Sequence, residues 1–334
     1  MLEQFLAKAK PDQATLDNLV NDLIKQRNDA KLSKRVILQK GLVNYGTYGP
    51  SNPFTNVLSD DDLKKLKAED LVKVLTNLTH YEHRILYYGP LKQAELNSML
   101  EAKHYTQATQ QPEAAAASIS TEQKTGNQVY VVDYDMKQAE LIMLGKGEPF
   151  TDKIVPQARM YNEYFGGNMS SVVFQELRES KALAYSVAGQ YRIPKKKEKS
   201  FYLSTYIGSQ ADKLAEATQG MADLLKDLPM SEITFGAAKE SILSGIRNER
   251  LTKMQLLLNY EDARRLGLNY DIRKSIFEQV STMTFDNVKQ FQQTYVKNVP
   301  LTLLVVGKKE LLDQKTLEKY GQVKFLTLKE VFGY

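Results

Sequence analysis

Arg178 and Tyr185 are the two residues of this 334-residue chain whose types and spacing best suit chemistry. They stand seven positions apart, on either side of a change from helical to alternating apolar spacing. Arginine stays charged and tyrosine keeps its proton near neutral pH, so both can donate hydrogen bonds to a carbonyl oxygen or an oxyanion without supplying a base. The alternative interpretation is structural, with an arginine on a helix surface and a tyrosine partly buried in a sheet.

The stretch of 26 residues from Gly166 to Tyr191 contains the elements that must position this pair. Gly166 and Gly167 permit a loop backbone that a residue with a Cβ would resist, and Asn168 or one of the two serines after Met169 can cap a helix. Helical spacing then gives way to alternation after Lys181. The apolar positions are Val172, Val173, Phe174 and Leu177 for the helix, and Leu183, Tyr185 and Val187 for the strand.

The run FGGNMSSVVFQELRESKALAYSV resembles the substrate-binding signature in the C-terminal half of the pitrilysin/insulinase metallopeptidases. The resemblance implies that Arg178 and Tyr185 reach toward an active site in the opposite half, where they bind substrate and stabilise the transition state. It also implies that Gly166, Gly167 and Asn168 line the chamber beside them. The sequence departs from the family at position 182, where an alanine replaces the glycine of many relatives. If that position needs a positive φ, alanine costs roughly 1 kcal/mol.

Members of the resembled family hold zinc with His-x-x-Glu-His on a helix plus a distant glutamate. The chain has only three histidines, His80, His83 and His104, and the run His80-Tyr81-Glu82-His83 is one residue short of that motif. We therefore predict polar residues at a strand entrance there and no metal site in this chain; the resemblance places zinc in the catalytic half. No Gly-x-Ser-x-Gly elbow, Walker loop or dinucleotide fingerprint occurs.

Composition excludes several other classes of function. Cysteine is absent, which rules out disulfides and thiolate metal sites. The net charge of +5 is mild, and no basic stripe with interleaved aromatics predicts nucleic-acid binding; the run KKKEK at 195–199 reads as a solvated hairpin tip. No apolar run approaches the roughly 20 residues that span a bilayer, and the first residues do not resemble a signal peptide. The compartment stays open between periplasm and cytoplasm, and the family analogy favours the periplasm.

Two parts of the chain carry similar patterns at an offset of about 218–220 residues, which predicts tandem copies of one domain. Arg27-Asn28-Asp29 corresponds to Arg247-Asn248-Glu249, and a predicted strand RILYYG at 84–89 corresponds to LTLLVVG at 301–307. The identities are sparse, so a coincidence of helical patterns is the alternative. Only the second copy has a front half, 129–230, that supplies most of a sheet, so we expect the chain to begin within a domain.

The predicted fold class is α+β, with tandem metallopeptidase-like domains in which an antiparallel or mixed sheet packs on helices and the first copy is truncated. Residues 1–105 are predicted as the incomplete, mostly helical domain, 106–127 as a linker, and 128–334 as a complete domain carrying the arginine–tyrosine motif. Long helices are predicted over 14–46 and 233–267.

The resemblance implies a non-catalytic, substrate-binding C-terminal half of a zinc metallopeptidase. Its partners would be peptide or unfolded polypeptide and a catalytic N-terminal half or homologous subunit, and this chain alone is predicted to be inactive. The alternative is a peptidase-like structural or assembly subunit without proteolysis. Retention of both Arg178 and Tyr185 favours the substrate-binding role.

Overall fold

The computed structural model describes residues 5–6, 8–104, 110–112 and 121–334, so much of the predicted linker lies outside the described residues. The described chain forms two compact units. The smaller falls within Met1–Leu32 and Asn56–Ile119 and includes Tyr334, and the larger falls within Ser33–Thr55 and Ser120–Gly333.

The smaller unit is helical where it has regular structure. Its α-helices include Gln13–Lys31, Asp60–Lys64, Ala68–Asn77 and Gln93–Lys103. A small core forms where Leu16 and Val20 of the first helix meet Leu63 and Ala68. Arg27 binds Asp60 at 2.6 Å and ties two of these helices together.

The predicted strand over 84–89 is wrong. Within the described residues, the only β-pairing of the smaller unit is an isolated bridge between Tyr81 and Gln111. A strand needs a neighbour whose N–H and C=O groups complete its ladder, and the described part of this unit offers none to residues 84–89. The apolar side chains there are consequently exposed, with Ile85 at 47% and Tyr88 at 55%.

The larger unit is built on a six-stranded mixed sheet, which confirms the predicted α+β class. Its strands are β1 (Gln128–Asp133), β2 (Gln138–Pro149), β3 (Ser186–Arg192), β4 (Ser200–Gln210), β5 (Leu301–Gly307) and β6 (Gln322–Phe325). The strand order is β3-β4-β2-β5-β1-β6. β1 runs parallel to β5 and β6, and the other neighbours are antiparallel.

Helices bury both faces of the central strands, which explains why β5 and the middle of β2, residues 141–144, are apolar on both faces. One face packs into the main core with the helices Val155–Phe165, Leu214–Lys226, Glu232–Asn248, Ile272–Thr282 and Phe285–Tyr295. Shorter or peripheral helices are Lys253–Arg265, Gln314–Glu318 and Leu328–Phe332.

A helical stretch between residues 34 and 48 packs against β2 and β5. It consists of Lys34–Val36, a π-helical section Ile37–Leu42 and Val43–Tyr48. A Cβ at Gly46 would lie 3.0 Å from Leu304 of β5, so the helix backbone comes close to the sheet. A segment that the sequence pattern assigns to the first copy thus packs on the sheet of the larger unit.

Both predicted long helices are interrupted by caps. The first ends at Lys31, and Ser33 then starts a new helix by accepting a hydrogen bond from the Val36 N–H. The second ends at Asn248, and Thr252 starts the next helix with a capping box. Apolar periodicity continues across such caps, so it overestimates helix length. The sequence patterns also do not predict β6.

Candidate functional site

Gly166 follows the helix Val155–Phe165 and lies directly against the edge strand β3. A Cβ at this position would be 2.3 Å from the backbone nitrogen of Gly189. The glycine is therefore required by the close approach of two backbones. At Gly167 a Cβ would be 2.9 Å from the carbonyl oxygen of Asn162, which is also too close.

Asn168 organises the loop that follows. Its Nδ2 donates to Glu163 Oε1 at 2.9 Å, and its Oδ1 accepts from the Ser170 N–H at 2.8 Å. The Ser171 hydroxyl donates to the Asn168 carbonyl oxygen at 2.6 Å. These bonds fix the entry into the next helix, so the amide of Asn168 is engaged within the loop.

Arg178 projects from a π-helical section, Phe174–Ser180, that is anchored by the fully buried Leu177. The guanidinium carbon lies 4.6 Å from the centre of the Phe174 ring, and Nε lies 3.7 Å from Glu179 Oε1. The side chain stays 44% exposed. The aromatic face orients the arginine at the helix surface, and the exposed pair with Glu179 contributes little to stability.

Ala182 forms the turn between this helix and β3, with φ at +48°. The position does need a positive φ, as the family's glycine suggests. The turn is held on both sides: the Leu183 N–H donates to the Leu177 carbonyl at 2.9 Å, and Lys213 Nζ donates to the Ala182 carbonyl at 3.3 Å. The distance between Arg178 and the strand is thereby fixed.

Tyr185 lies just before β3, where its N–H donates to the Gly208 carbonyl at 2.8 Å. Its side chain is 54% exposed, and its hydroxyl oxygen accepts a hydrogen bond from Gln210 Nε2 at 2.7 Å. An amide N–H can only donate, so the phenol oxygen is the acceptor in this bond. The phenol proton remains free to be donated to a ligand.

Arg178 and Tyr185 line one cleft of about 410 Å³. The cleft carries two cationic side chains, those of Arg178 and Lys213, and one carboxylate, that of Glu179. The cleft thus offers a guanidinium, an ammonium and a free phenol proton, which can donate hydrogen bonds to a carbonyl oxygen or an oxyanion. The complete lining is Arg178, Glu179, Ala182, Leu183, Ala184, Tyr185, Gln210 and Lys213.

The glycine loop belongs to a different cleft. Gly166 and Gly167 line a polar cleft of about 610 Å³ that does not include Arg178 or Tyr185, and Asn168 lines neither of the two clefts. The sequence patterns do not identify two residues of the first cleft, Gln210 at the end of β4 and Lys213 in the short helix that follows it. Their involvement depends on the pairing of β3 with β4, and single-strand periodicity does not reveal which strands pair.

The histidines do not lie at the entrance of a strand, because residues 84–89 form no strand. His83 Nε2 lies 2.7 Å from His104 Nε2, and His83 Nδ1 lies 2.8 Å from the Tyr81 carbonyl oxygen. His80 contributes its backbone carbonyl to Gln111. Among the described residues, no group of three or more His, Cys, Asp or Glu side chains could hold a metal ion. Two facing imidazoles do not fit zinc, which takes three or four protein ligands.

Residues 83–242 match the family model described as the peptidase M16 inactive domain, and this range includes Arg178 and Tyr185. An uncharacterized zinc protease, YmxG, of Bacillus subtilis is 33% identical over 100 residues, covering 30% of this chain and 24% of the relative. An uncharacterized zinc protease of Mycobacterium tuberculosis is 33% identical over 136 residues, covering 37% and 28%. The alignments thus span about a quarter of these relatives' length.

Solved structures share the fold at low identity. A peptidase M16 inactive domain from Pseudomonas fluorescens superposes with a TM-score of 0.67 at 13% identity, covering 92% of this chain and 73% of that one. The periplasmic protease PqqL from Escherichia coli superposes with a TM-score of 0.65 at 14% identity, covering 88% of this chain and 33% of that one. A chain of complex III2 from Candida albicans superposes with a TM-score of 0.61 at 13% identity, covering 94% of this chain and 75% of that one. In the described part of this chain, none of the helices has the length and apolar character to traverse a bilayer.

Proposed function

Because this chain carries a peptidase M16 inactive domain and resembles the non-catalytic C-terminal half of the pitrilysin/insulinase-type zinc metallopeptidases, we propose that it binds peptide substrate for hydrolysis in a catalytic half. The observation that carries the proposal is the single cleft that holds Arg178 and Tyr185. The two residues lie on separate elements, and a left-handed turn at Ala182 fixes their spacing.

In this proposal the cleft supplies hydrogen-bond donors and the catalytic half supplies the base and the metal. Tyr185 donates its phenol proton to a substrate carbonyl oxygen, and Gln210 holds the phenol in place from the other side. Arg178 provides a permanent positive charge for the oxygen on which negative charge develops during hydrolysis. Such donors are effective because they are oriented before the reaction begins.

The partner is a catalytic half that holds zinc, either in one longer chain or in a separate homologous subunit. The relatives named as zinc proteases support this partnership. The periplasmic location of the structural neighbour PqqL favours the periplasm for this protein as well. The proposed organisation as tandem peptidase-like domains, of which the larger unit contains the complete copy, is part of the same proposal.

A second candidate function is a structural or assembly role without proteolysis. The fold similarity to a chain of complex III2 favours it, because that protein is a component of a larger complex. The two functions differ in whether the cleft side chains matter to peptide hydrolysis. A structural subunit tolerates their replacement without any effect on cleavage.

The test is peptide cleavage by this chain combined with a catalytic half that carries His-x-x-Glu-His. We expect Tyr185→Phe to lower kcat by about 10²–10³-fold, the usual effect of removing one oxyanion donor. The matched control is Tyr260→Phe, because Tyr260 is equally exposed at 55% and lies on a helix outside the cleft. Full turnover by Tyr185→Phe would support the structural role instead.

Arg178→Met is the companion variant, and Arg247→Met is its control. Arg247 resembles Arg178 in its surroundings, since it is 54% exposed, lies 5.3 Å from the Phe277 ring centre and pairs with Glu240. A loss of cleavage in Arg178→Met that is absent in Arg247→Met assigns the effect to the cleft. Equal losses in both variants would indicate a general effect of surface charge and contradict the proposal.

A further inference from the structure

The last residue of β3, Arg192, is partly buried, and among the described residues its Nε has no hydrogen-bond partner. No carboxylate in the described part of the chain forms an ion pair with Arg192 either. Burial lowers the pKa of Arg192 below the usual arginine value, because desolvation disfavours the charged form. A buried N–H group without an acceptor is costly, so proteins normally give it a hydrogen-bond partner.

A second unsatisfied polar group lies beside it. Arg192 and Tyr202 are direct cross-strand partners in the β3–β4 ladder, so their side chains lie on the same face of the sheet. The Tyr202 hydroxyl is also buried, and it has no hydrogen-bond partner within the ranges that the structure describes. Two neighbouring groups, each able to donate to an anion, are thus left without acceptors.

The surroundings of Arg192 are cationic. It lines both the 610 Å³ cleft, together with Arg159, and a cleft of about 460 Å³, together with Lys195, Lys196 and Lys199. All three lysines belong to the tip of the β3–β4 hairpin, which the sequence pattern predicts only as a solvated charge run.

The carboxylates of these two clefts are already engaged. Glu163 accepts hydrogen bonds from Asn168 Nδ2 and the Ser241 hydroxyl, both at 2.9 Å. Glu122 lies 3.6 Å from Lys146 Nζ and accepts from the Ser200 N–H at 3.2 Å. Neither glutamate forms an ion pair with Arg192, so neither supplies a counter-ion for its guanidinium.

We propose that Arg192 and Tyr202 form a carboxylate-binding site for an acidic side chain or the C-terminal carboxylate of a polypeptide. The planar guanidinium offers two parallel N–H groups to a carboxylate, and the tyrosine hydroxyl offers a third donor. One guanidinium and one hydroxyl match a single negative charge. The proposal extends the proposed function by naming an acidic substrate class, and it concerns residues outside the cleft of Arg178 and Tyr185.

The experiment measures the affinity of this chain for labelled short peptides by fluorescence anisotropy. One peptide carries a central glutamate, a second carries glutamine there, and each is made with a free or an amidated C-terminus. We expect the wild-type chain to bind the peptide with the relevant carboxylate about tenfold more tightly than its neutral counterpart. Replacing the peptide glutamate with glutamine tests a side-chain carboxylate, and amidating the peptide tests its C-terminal carboxylate.

Arg192→Met should abolish this preference and leave binding of the neutral peptide unchanged. It should also raise the melting temperature of the unliganded chain, because it removes a buried N–H group that has no acceptor among the described residues. Tyr202→Phe should reduce the preference without impairing folding, since its buried hydroxyl has no partner to lose. Arg247→Met is the control and should keep the full preference.

Equal affinity for the charged and neutral peptides in the wild-type chain would overturn the proposal. A preference that survives Arg192→Met but disappears in Lys195→Gln and Lys196→Gln would also overturn the proposal. That result would indicate a diffuse basic surface that also binds polyanions such as nucleic acid. Neutral-peptide binding that depends on Tyr185, without any charge preference, would overturn this inference alone. A charge preference that depends on Arg192 but is accompanied by normal cleavage in Tyr185→Phe would overturn only the proposed function.

Discussion

Ala182 gives the sharpest stability prediction, because its backbone is left-handed and its side chain is exposed. A non-glycine residue in this conformation costs about 1–2 kcal/mol. Replacing it with glycine removes that cost and adds about 0.4–1 kcal/mol of extra entropy in the unfolded chain. The exposed methyl group buries little apolar surface, so its loss matters little. Ala182→Gly should therefore stabilise the larger unit by about 0.5–1 kcal/mol.

The matched control is Ala237→Gly, another exposed alanine but within the helix Glu232–Asn248. There glycine costs about 1 kcal/mol, so the two substitutions should have opposite signs. Urea unfolding, followed by a signal from the larger unit, measures both, and an unchanged m-value shows that the shift in midpoint reflects stability. Ala182→Val should destabilise clearly, since a branched side chain resists a positive φ. If Ala182→Gly destabilises as much as the helical control, the strain argument is wrong.

Three further predictions follow from single contacts. Gly166→Ala should destabilise the larger unit by about 3 kcal/mol in urea unfolding, because its Cβ would overlap the backbone of Gly189. Gln210→Leu should lower kcat about two- to tenfold with the catalytic half, and should have no further effect in a Tyr185→Phe background, because Gln210 acts through that phenol. Hydrogen bonds from Arg273 lower the pKa of Asp271. The ionised carboxylate therefore stabilises the folded state above the unfolded-state pKa, and this stabilisation is lost as the pH falls. The stability difference between wild type and Asp271→Asn should accordingly shrink below about pH 4.

Much of the larger unit could be predicted from sequence because local patterns and packing agree there. Short apolar runs identify the centres of β1, β2 and β5, which are largely buried. The glycine loop, the short helix and the change to alternation place Arg178 and Tyr185 on adjoining elements. The family resemblance adds the expected glycine at position 182, and the observed φ explains that expectation.

The remaining features depend on contacts distant in sequence. Residues 84–89 have strand-like composition, but a strand forms only where another strand pairs with it. Gln210 reaches Tyr185 because β3 and β4 pair in one particular register. The facing imidazoles of His83 and His104 join residues 21 positions apart. Periodicity describes one element at a time, so it cannot predict such pairings.

Peptide binding at the cleft of Arg178 and Tyr185 is the central claim, and hydrogen–deuterium exchange with and without an excess of a short unlabelled peptide tests it most directly. The amides to follow are those of 181–186 and 208–213, which form the turn, the start of β3 and the end of β4 around the cleft. The account predicts peptide-dependent protection of these amides that is lost in Arg178→Met and retained in Arg247→Met. Peptide binding that leaves both segments unprotected, or protects them equally in Arg178→Met, would contradict it.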